Sequence, residues 1–247
     1  MKNALPLITA GILLCSFNTD SIQKSVTQAN LKGKVRSIQE SVYTAEAKVG
    51  DVEKGKLIYK DSTAFNENGD ALKWRHFDGD GSLKKQTDWT FGDDNKITGA
   101  LLKIGKDIDH DTLIYDASGN LIEEDIYKVA GRIATKYTYK YEGDYMTEAA
   151  TYNGSSLKSK IVYSYGGSGK VFLEDHYSGN DINEKMAYTY NDKGDAIKVE
   201  TYDPHGKLES KATFKYDEYD DAGNWRKCTK LVDDKPESIT TREIEYY

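Results

Sequence analysis

Two cysteines are all that the 247 residues contain, and amphipathic windows of helix-forming residues are almost absent. Cys15 lies in an apolar N-terminal segment, so Cys228 is the one cysteine left for a folded domain, and an internal disulfide is excluded. Basic residues are not in excess either: 34 Lys and Arg stand against 41 Asp and Glu, a net charge of −7. This balance argues against a nucleic-acid or anionic-membrane partner.

Motifs for catalysis and for metal binding are also missing. Asp107, Asp109 and Asp111 imitate the start of a calcium loop, but Thr112 replaces the glycine and Ser118 stands where the bidentate glutamate belongs. The four histidines are scattered, and Cys228 lacks a Cys-His-Asn context. The sequence therefore predicts a protein that is not an enzyme and that needs no cofactor and no metal, with His110 as the one place that merits a metal test.

What the chain does contain is a recurring turn. An aromatic residue that ends a strand-like run is followed four residues later by glycine, with Asp, Asn or other turn-forming residues between them. The spacing recurs at Phe65/Gly69, Phe77/Gly81, Tyr115/Gly119, Tyr127/Gly131, Tyr165/Gly169, Tyr190/Gly194, Tyr202/Gly206 and Tyr219/Gly223. Shorter turns such as Asn153-Gly154 interleave with it, so the chain predicts successive β-hairpins.

The full repeat is two strands long, about 25 residues. Two residues before an aromatic residue at or near the strand end, alternate strands carry an aromatic ladder: Trp89, Tyr139, Tyr163, Tyr188 and Phe214. The strands between them carry acidic groups, Asp125, Asp175 and Glu200. We expect an all-β fold, a repetitive antiparallel β-hairpin meander that forms a strongly twisted or curled single sheet. Whether the aliphatic residues of the intervening strands share the tyrosine face depends on register.

The N-terminus predicts export. Residues 1–15 combine Lys2 with an apolar run that ends at Leu14 and is too short to span a bilayer, as in a signal peptide. Cys15 follows this run directly, as in a bacterial lipoprotein signal, although that signal has a small residue at the position of Leu14. Lipidation of Cys15 and ordinary cleavage nearby both stay open. Residues 16–30 then form a polar tether, residues 31–247 the repeat domain, and the protein is placed in the bacterial cell envelope or outside the cell.

Units such as Tyr115–Leu121 (YDASGNL) and Tyr219–Trp225 (YDDAGNW) resemble the YD (RHS) repeat family of bacterial surface proteins. The resemblance covers most of Phe65 to Trp225, and it implies long antiparallel sheets with cell-surface, carbohydrate-binding or toxin-encapsulating roles. Only one strand pair follows Trp225, so toxin delivery does not carry over. The chain looks more like small secreted or lipoprotein relatives.

Three classes of function follow. A binding module would use the ladder rings with Asp125, Asp175 and Glu200 to hold a glycan or an envelope protein. A structural or interaction scaffold would use the same rings only for cohesion. An enzyme would need convergent titratable groups, which repeats disperse. We expect the first, with the scaffold as the alternative, and with membrane contact only through a lipid anchor on Cys15.

Overall fold

The computed structural model describes residues 25–27, 29–93, 95–128 and 133–247. Within these ranges the chain forms sixteen β-strands: β1 (Val35–Lys48), β2 (Asp51–Phe65), β3 (Ala71–Asp78), β4 (Leu83–Phe91), β5 (Ile97–Ile104), β6 (Asp107–Tyr115), β7 (Leu121–Tyr127), β8 (Ile133–Glu142), β9 (Tyr145–Asn153), β10 (Ser156–Tyr165), β11 (Val171–Ser178), β12 (Asp181–Tyr190), β13 (Ala196–Tyr202), β14 (Leu208–Tyr219), β15 (Trp225–Val232) and β16 (Lys235–Tyr246). The described residues contain no apolar helix of membrane-spanning length.

The sixteen strands form a closed barrel. Each strand pairs antiparallel with its neighbours in sequence, and β1 also pairs with β16, from Val35 opposite Tyr246 to Thr44 opposite Ser238. The predicted antiparallel hairpin meander is therefore confirmed. The expectation of a twisted or curled open sheet is wrong, because pairing the first strand with the last gives partners to the backbone groups of both edges.

The opening hairpin is longer than its sequence predicts. Residues 50–55 (GDVEKG) have the composition of a loop, but only Val49 and Gly50 lie between β1 and β2. Gly50 has a φ of 84°, which lets two residues reverse the chain. Both strands therefore continue beyond the length of the others, and β2 has 15 residues.

Because the strands alternate in direction, the turns collect at two ends of the barrel. We call the end with the turns β2–β3, β4–β5, β6–β7, β8–β9, β10–β11, β12–β13 and β14–β15 the near rim, since Val35 and Tyr246 also lie there. The end with the other turns is the far rim. The near-rim turn β6–β7 is typical: Oδ1 of Asp116 accepts hydrogen bonds from the backbone N of Ser118 and Asn120, and Gly119 has a φ of 89°.

A tyrosine hydroxyl joins the two strands of several repeats. Tyr165 on β10, Tyr190 on β12 and Tyr216 on β14 each donate to a backbone carbonyl near the start of the preceding strand. The acceptors are Met146, Val171 and Ala196, each at an O–O distance of 2.7 Å. All three acceptor residues lie next to a shift in pairing register. Tyr165 and Tyr190, which are turn aromatics of the sequence repeat, and Tyr216, which is not, thus provide hydrogen bonds where strand pairing is irregular.

The two faces of the sheet differ in burial. One face carries the rings of three buried clusters, including Tyr137, Tyr139, Tyr163, Phe214 and Trp225. The other carries rows of lysine–carboxylate pairs that keep partial exposure, such as Lys185 with Asp175 and Lys140 with Glu148. Side chains converge on the concave side of a closed barrel, so the more buried face is the inner wall and the ion-paired face is the outer wall.

The segment before β1 crosses the near rim. Its contacts reach three turns: Val26 N–Gly69 O 2.8 Å, Asn30 Nδ2–Asp195 Oδ1 2.8 Å and Lys32 N–Asn224 Oδ1 2.8 Å. The turns that hold Gly69 and Asp195 are separated by β1, β16, β15 and β14 around the barrel, so the segment passes over the mouth. Leu31, 7% exposed, packs against the inner-wall residues Ile38 and Ile244. The described part of the predicted tether is thus docked on the barrel, whereas residues 1–15, with Cys15, lie outside the described residues.

Candidate functional site on the inner wall

All five ladder rings lie on the inner wall. Trp89, Tyr139, Tyr163, Tyr188 and Phe214 occupy β4, β8, β10, β12 and β14, and the strand registers put them on one face. Their burial differs: Tyr139, Tyr163 and Phe214 are 6–7% exposed, whereas Trp89 and Tyr188 are partly exposed and pack at the edges of buried clusters. Only these last two ladder rings present surface to a ligand.

The predicted acidic partners of the ladder lie on the opposite wall. Tyr163 pairs with Glu174, so the next residue, Asp175, points outward, and the same register puts Asp125 and Glu200 outside. There Asp175 binds Lys185 at 3.1 Å and Glu200 binds Lys198 at 2.9 Å; Asp125 lies 3.6 Å from Lys136. The structure does not bring these three carboxylates together with the ladder.

Different carboxylates share the inner wall with the rings, and sequence reasoning missed them. Tyr139 Oη donates to Oε2 of Glu124 at 2.9 Å, and Oε2 of Glu174 lies 2.9 Å from Nε2 of His176. Both glutamates are buried, at 5–6% exposure. Each directly precedes the acidic residue that we had singled out, so a one-residue error in register was enough to select the wrong member of the pair.

A second aromatic patch lies on the inner wall of β2 and β3. Nδ1 of His76 is 2.7 Å from Oδ1 of Asp61, the Trp74 ring stacks on His76 with 5.9 Å between centroids, and the Tyr59 ring lies 5.3 Å from it on the other side. Burial, followed by the charges of Asp61 and Glu40, raises the pKa of Tyr59. The Tyr59 hydroxyl therefore stays protonated and can donate. Partly exposed rings beside a carboxylate and an imidazole can stack on a sugar and hydrogen-bond its hydroxyls.

A third group, on β15, β16 and β1, serves cohesion. Nε of Arg242 lies 3.0 Å from Oε1 of Glu40, and its guanidinium lies 3.4 Å from the centroid of the Trp225 ring. Burial raises the pKa of the neighbouring Cys228 thiol to about 12, even though Arg242 and Tyr216 oppose this shift. Cys228 is therefore a protonated, 1% exposed thiol and not an activated nucleophile.

The aspartates of β6 form no metal site. Asp107, Asp109 and Asp111 face inward, and His110 between them faces outward opposite Tyr127. Asp109 Oδ2 accepts from Nζ of Lys128 at 2.8 Å. Across the part of the chain that the structure describes, no group of three or more His, Cys, Asp and Glu side chains is arranged to hold a metal ion.

Comparison with known proteins gives a likeness in fold, and none in sequence family. No protein-family model matches the sequence, and no curated protein matches it. A crystal structure of a porin-like protein from Bacteroides uniformis ATCC 8492 superimposes with a TM-score of 0.59 at 11% sequence identity, over 87% of this chain and 98% of that one. At this identity the likeness concerns the fold alone.

The resemblance to YD (RHS) repeats is corrected by these findings. The expected open sheet of repeats is instead a closed barrel of sixteen antiparallel strands with the fold of a porin-like protein. The physical reason is that Tyr-Asp-x-x-Gly is a turn sequence. Asp116 and Gly119 specify a tight reversal in any antiparallel meander, so the motif carries no information on whether the sheet closes.

Proposed function

We propose that this protein is a non-enzymatic β-barrel of the bacterial cell envelope that binds a glycan chain on its inner wall. The porin-like fold supports an envelope barrel, and the N-terminal segment that predicts export agrees with it. Glycan binding rests on one observation: on the inner wall, partly exposed aromatic rings alternate with carboxylate and imidazole groups.

Two surfaces of the inner wall would make the contact. The first consists of Tyr59, Trp74 and His76 with Asp61; the second consists of Tyr188 and His176, and the buried Glu174 positions the His176 ring. Sugar rings offer apolar C–H faces to aromatic rings and hydroxyls to carboxylates, which is the chemistry of both surfaces. The buried rings Tyr139 and Tyr163 would shape the wall without touching the ligand.

The proposal places the barrel beside a membrane and not through one. A spanning barrel needs an apolar outer band about 25 Å tall, and an Arg or Lys in its middle costs about 2–4 kcal/mol. The outer wall here carries Lys136 with Glu123, Lys185 with Asp175, and Asp88 between Lys73 and Lys103. A lipid on Cys15 would hold such a barrel at the membrane surface, and mass spectrometry of the native N-terminus tests that attachment.

The absence of enzymatic activity is part of the same proposal. The strongly raised pKa values of Tyr59, Tyr216 and Cys228 all have burial as their largest cause, and each keeps its group protonated at neutral pH. The repeat spreads the other titratable groups over many strands instead of gathering them.

The test is an oligosaccharide array probed with the whole chain and with three variants. Tyr188→Ala and Trp74→Ala should lose glycan capture while they retain the barrel's circular dichroism spectrum. Tyr202→Ala, on the outer wall, is the matched control and should bind like the parent protein. Equal binding by all four proteins would overturn the inner-wall site.

Burial of the ladder favours a second candidate, a scaffold without a small ligand. Tyr139, Tyr163 and Phe214 are almost wholly covered, as expected if the rings only hold the wall together. This candidate gains support if the array shows no glycan bound and a pull-down from envelope extracts recovers a protein that the outer-wall variant Tyr202→Ala no longer captures.

A further inference from the structure

The segment before β1 bridges two near-rim turns across the mouth of the barrel. At one end, the backbone N of Val26 donates to the carbonyl of Gly69 in the β2–β3 turn at 2.8 Å. At the other end, Nδ2 of Asn30 donates to Oδ1 of Asp195, directly after the β12–β13 turn, also at 2.8 Å. We call the described residues from Ser25 to Lys34 the brace, because they join these two turns.

The brace is short, so it brings the two turns close together. Hydrogen bonds from Ala29 N to Ser25 O at 3.0 Å and from Leu31 N to Val26 O at 2.9 Å fold it into one helical turn. Four residues of helix advance about 6 Å, so the helical turn, the two terminal hydrogen bonds and one asparagine side chain together span about 15 Å. In a round barrel of sixteen strands, turns six strand spacings apart would lie about 30 Å from each other. The near mouth is therefore narrowed between these two turns.

The brace divides the near mouth into two unequal parts. Six strands, β13 to β16 with β1 and β2, border the smaller part, where Leu31 packs against Ile38 and Ile244. Ten strands, β3 to β12, border the larger part. Partly exposed rings lie on the strands at both ends of this larger part, Trp74 on β3 and Tyr188 on β12. The two aromatic surfaces of the inner wall are therefore the walls nearest to the brace.

The two surfaces also lie at the same depth. His76 is the sixth residue of β3 and His176 is the sixth residue of β11, and both strands begin at the near rim. These strands are eight positions apart in the order of sixteen, so their inward side chains face each other across the lumen. A ligand on one surface therefore has the other surface opposite it.

We propose that the two surfaces form one cleft, which clamps a single unbranched glycan chain of equatorially linked pyranoses, and that the brace sets the width of this cleft. The inference rests on the proposed glycan binding and adds to it the class of glycan and the number of chains. An equatorially linked chain is a flat ribbon with C–H groups on both faces, so each face can stack on the rings of one wall. An axially linked chain coils and a branched chain is wide, and neither fits between two walls held close together.

The width of the cleft is tested without a glycan, by the distance between two nitroxide labels on the whole chain. Cys228, 1% exposed, stays unlabelled, and Cys15→Ser removes the other thiol. Leu72→Cys on β3 and Ile197→Cys on β13 then mark the two walls at exposed near-rim positions. The distance between these labels is measured by pulsed electron paramagnetic resonance, with and without the brace contacts.

The brace contacts are removed by Asn30→Ala with Leu31→Asp. The distance between labels at Leu72 and Ile197 should then grow by about 10 Å, towards the span of a round barrel. Labels at Leu72 and Ile114, which both lie on the ten-strand side, are the control and should keep their distance. If the double variant does not fold, Asn30→Ala alone removes the bond to Asp195 and should broaden the first distance distribution. A Leu72–Ile197 distance that these substitutions leave unchanged overturns the proposal.

The clamp is tested with cellohexaose, a flat β-1,4-linked chain, and with maltohexaose, a coiled α-1,4-linked chain of the same length. Native mass spectrometry should show one cellohexaose per barrel, and calorimetry should show at least tenfold weaker binding of maltohexaose. Trp74→Ala and Tyr188→Ala should each weaken cellohexaose binding at least tenfold, because both rings stack on the same chain. Two independent surfaces would instead bind two chains, and each variant would lose one of them at unchanged affinity. That result overturns the clamp.

The outcomes separate the clamp from the proposed function. The Asn30→Ala, Leu31→Asp protein keeps every wall residue, and it should bind cellohexaose at least tenfold more weakly because the cleft is wider. Equal binding by this variant, or capture of branched or coiled chains in place of cellohexaose, overturns the clamp and leaves an inner-wall glycan site standing. A parent protein that captures no oligosaccharide of the array overturns the proposed function, and the clamp with it.

Discussion

The inner and outer walls of the barrel are built from the same residue types, tyrosine, carboxylate and a basic group, but they arrange them differently. On the inner wall, Glu124 accepts from Tyr139 and Glu40 holds Arg242 under the Trp225 ring. On the outer wall, carboxylates pair with lysines that remain partly exposed, and salt bridges of that kind contribute about 0–1 kcal/mol. Stability should therefore reside in the inner wall, while the outer wall contributes solubility and surface recognition.

The largest expected effect is a difference in the free energy of unfolding between two variants, each of which lacks one tyrosine from one of the walls. Tyr163→Ala should lower the free energy of unfolding by about 3–5 kcal/mol, because the ring is buried among Tyr139, Val171 and Tyr188 and its removal leaves a cavity. Tyr177→Ala, on the outer wall opposite Lys160, should cost about 1 kcal/mol. Urea unfolding of both variants gives the two values.

Equal losses for the two variants would contradict the division between the walls. A Tyr163→Ala protein of parental stability that no longer captures a glycan would identify Tyr163 as a contact residue of the ladder, as the sequence predicts. The same experiment therefore also decides whether the buried rings belong to the binding surface.

A smaller test removes a hydroxyl and leaves the ring. Tyr190→Phe should lower the free energy of unfolding by about 1 kcal/mol, because the Val171 carbonyl loses its donor at the start of β11. Tyr202→Phe on the outer wall should change it by less than about 0.5 kcal/mol. Hydrogen exchange should quicken at the start of β11 in Tyr190→Phe only; equal protection in both variants would show that this bond does not hold the irregular pairing.

The sequence predicts the hairpins because a hairpin is local. Asp116 and Gly119 determine their turn through contacts within five residues, and strand alternation follows from the same short range. Closure is not local: it depends on the pairing of Val35 with Tyr246, which no turn motif encodes. The single-residue choice between Glu174 and Asp175 has a similar origin, because irregular pairing beside the β10–β11 turn resets which face a residue occupies.

The ladder itself was predictable because its members share a position in each repeat. The patch of Tyr59, Trp74 and His76 was not, since it lies on β2 and β3, in the first hairpins, and no repeated spacing leads to it. A face-by-face alignment of β2 with β3 would have placed Asp61 opposite His76, but that alignment needs the register that only the structure supplies.

The smallest expected effect concerns two equivalent turns of the near rim. One turn has an aspartate and the other an asparagine at the same position. Asp116 and Asn191 occupy the same turn position and accept the same backbone hydrogen bonds, from Ser118 and Asn120 in one turn and from Lys193 and Asp195 in the other. Hydrogen bonds from the backbone and side chain of Asn120 lower the pKa of Asp116 below its ordinary value.

The sign of the pH effect follows from that shift. The unfolded carboxyl titrates near pH 3.9, so the contribution of Asp116 is complete above that pH and is lost as the pH falls through the lower folded value. Below pH 4 the Ser118 amide should therefore shift in NMR spectra as the β6–β7 turn loosens. Asp116→Asn should abolish this shift and keep the turn intact at neutral pH, because Asn191 already forms the same bonds without a charge. If the Ser118 amide of the Asp116→Asn protein still shifts with pH, the effect belongs to another group of the near rim. If the Asp116→Asn turn is disordered at pH 7, the charge of Asp116, and not the hydrogen-bond geometry, holds the turn together.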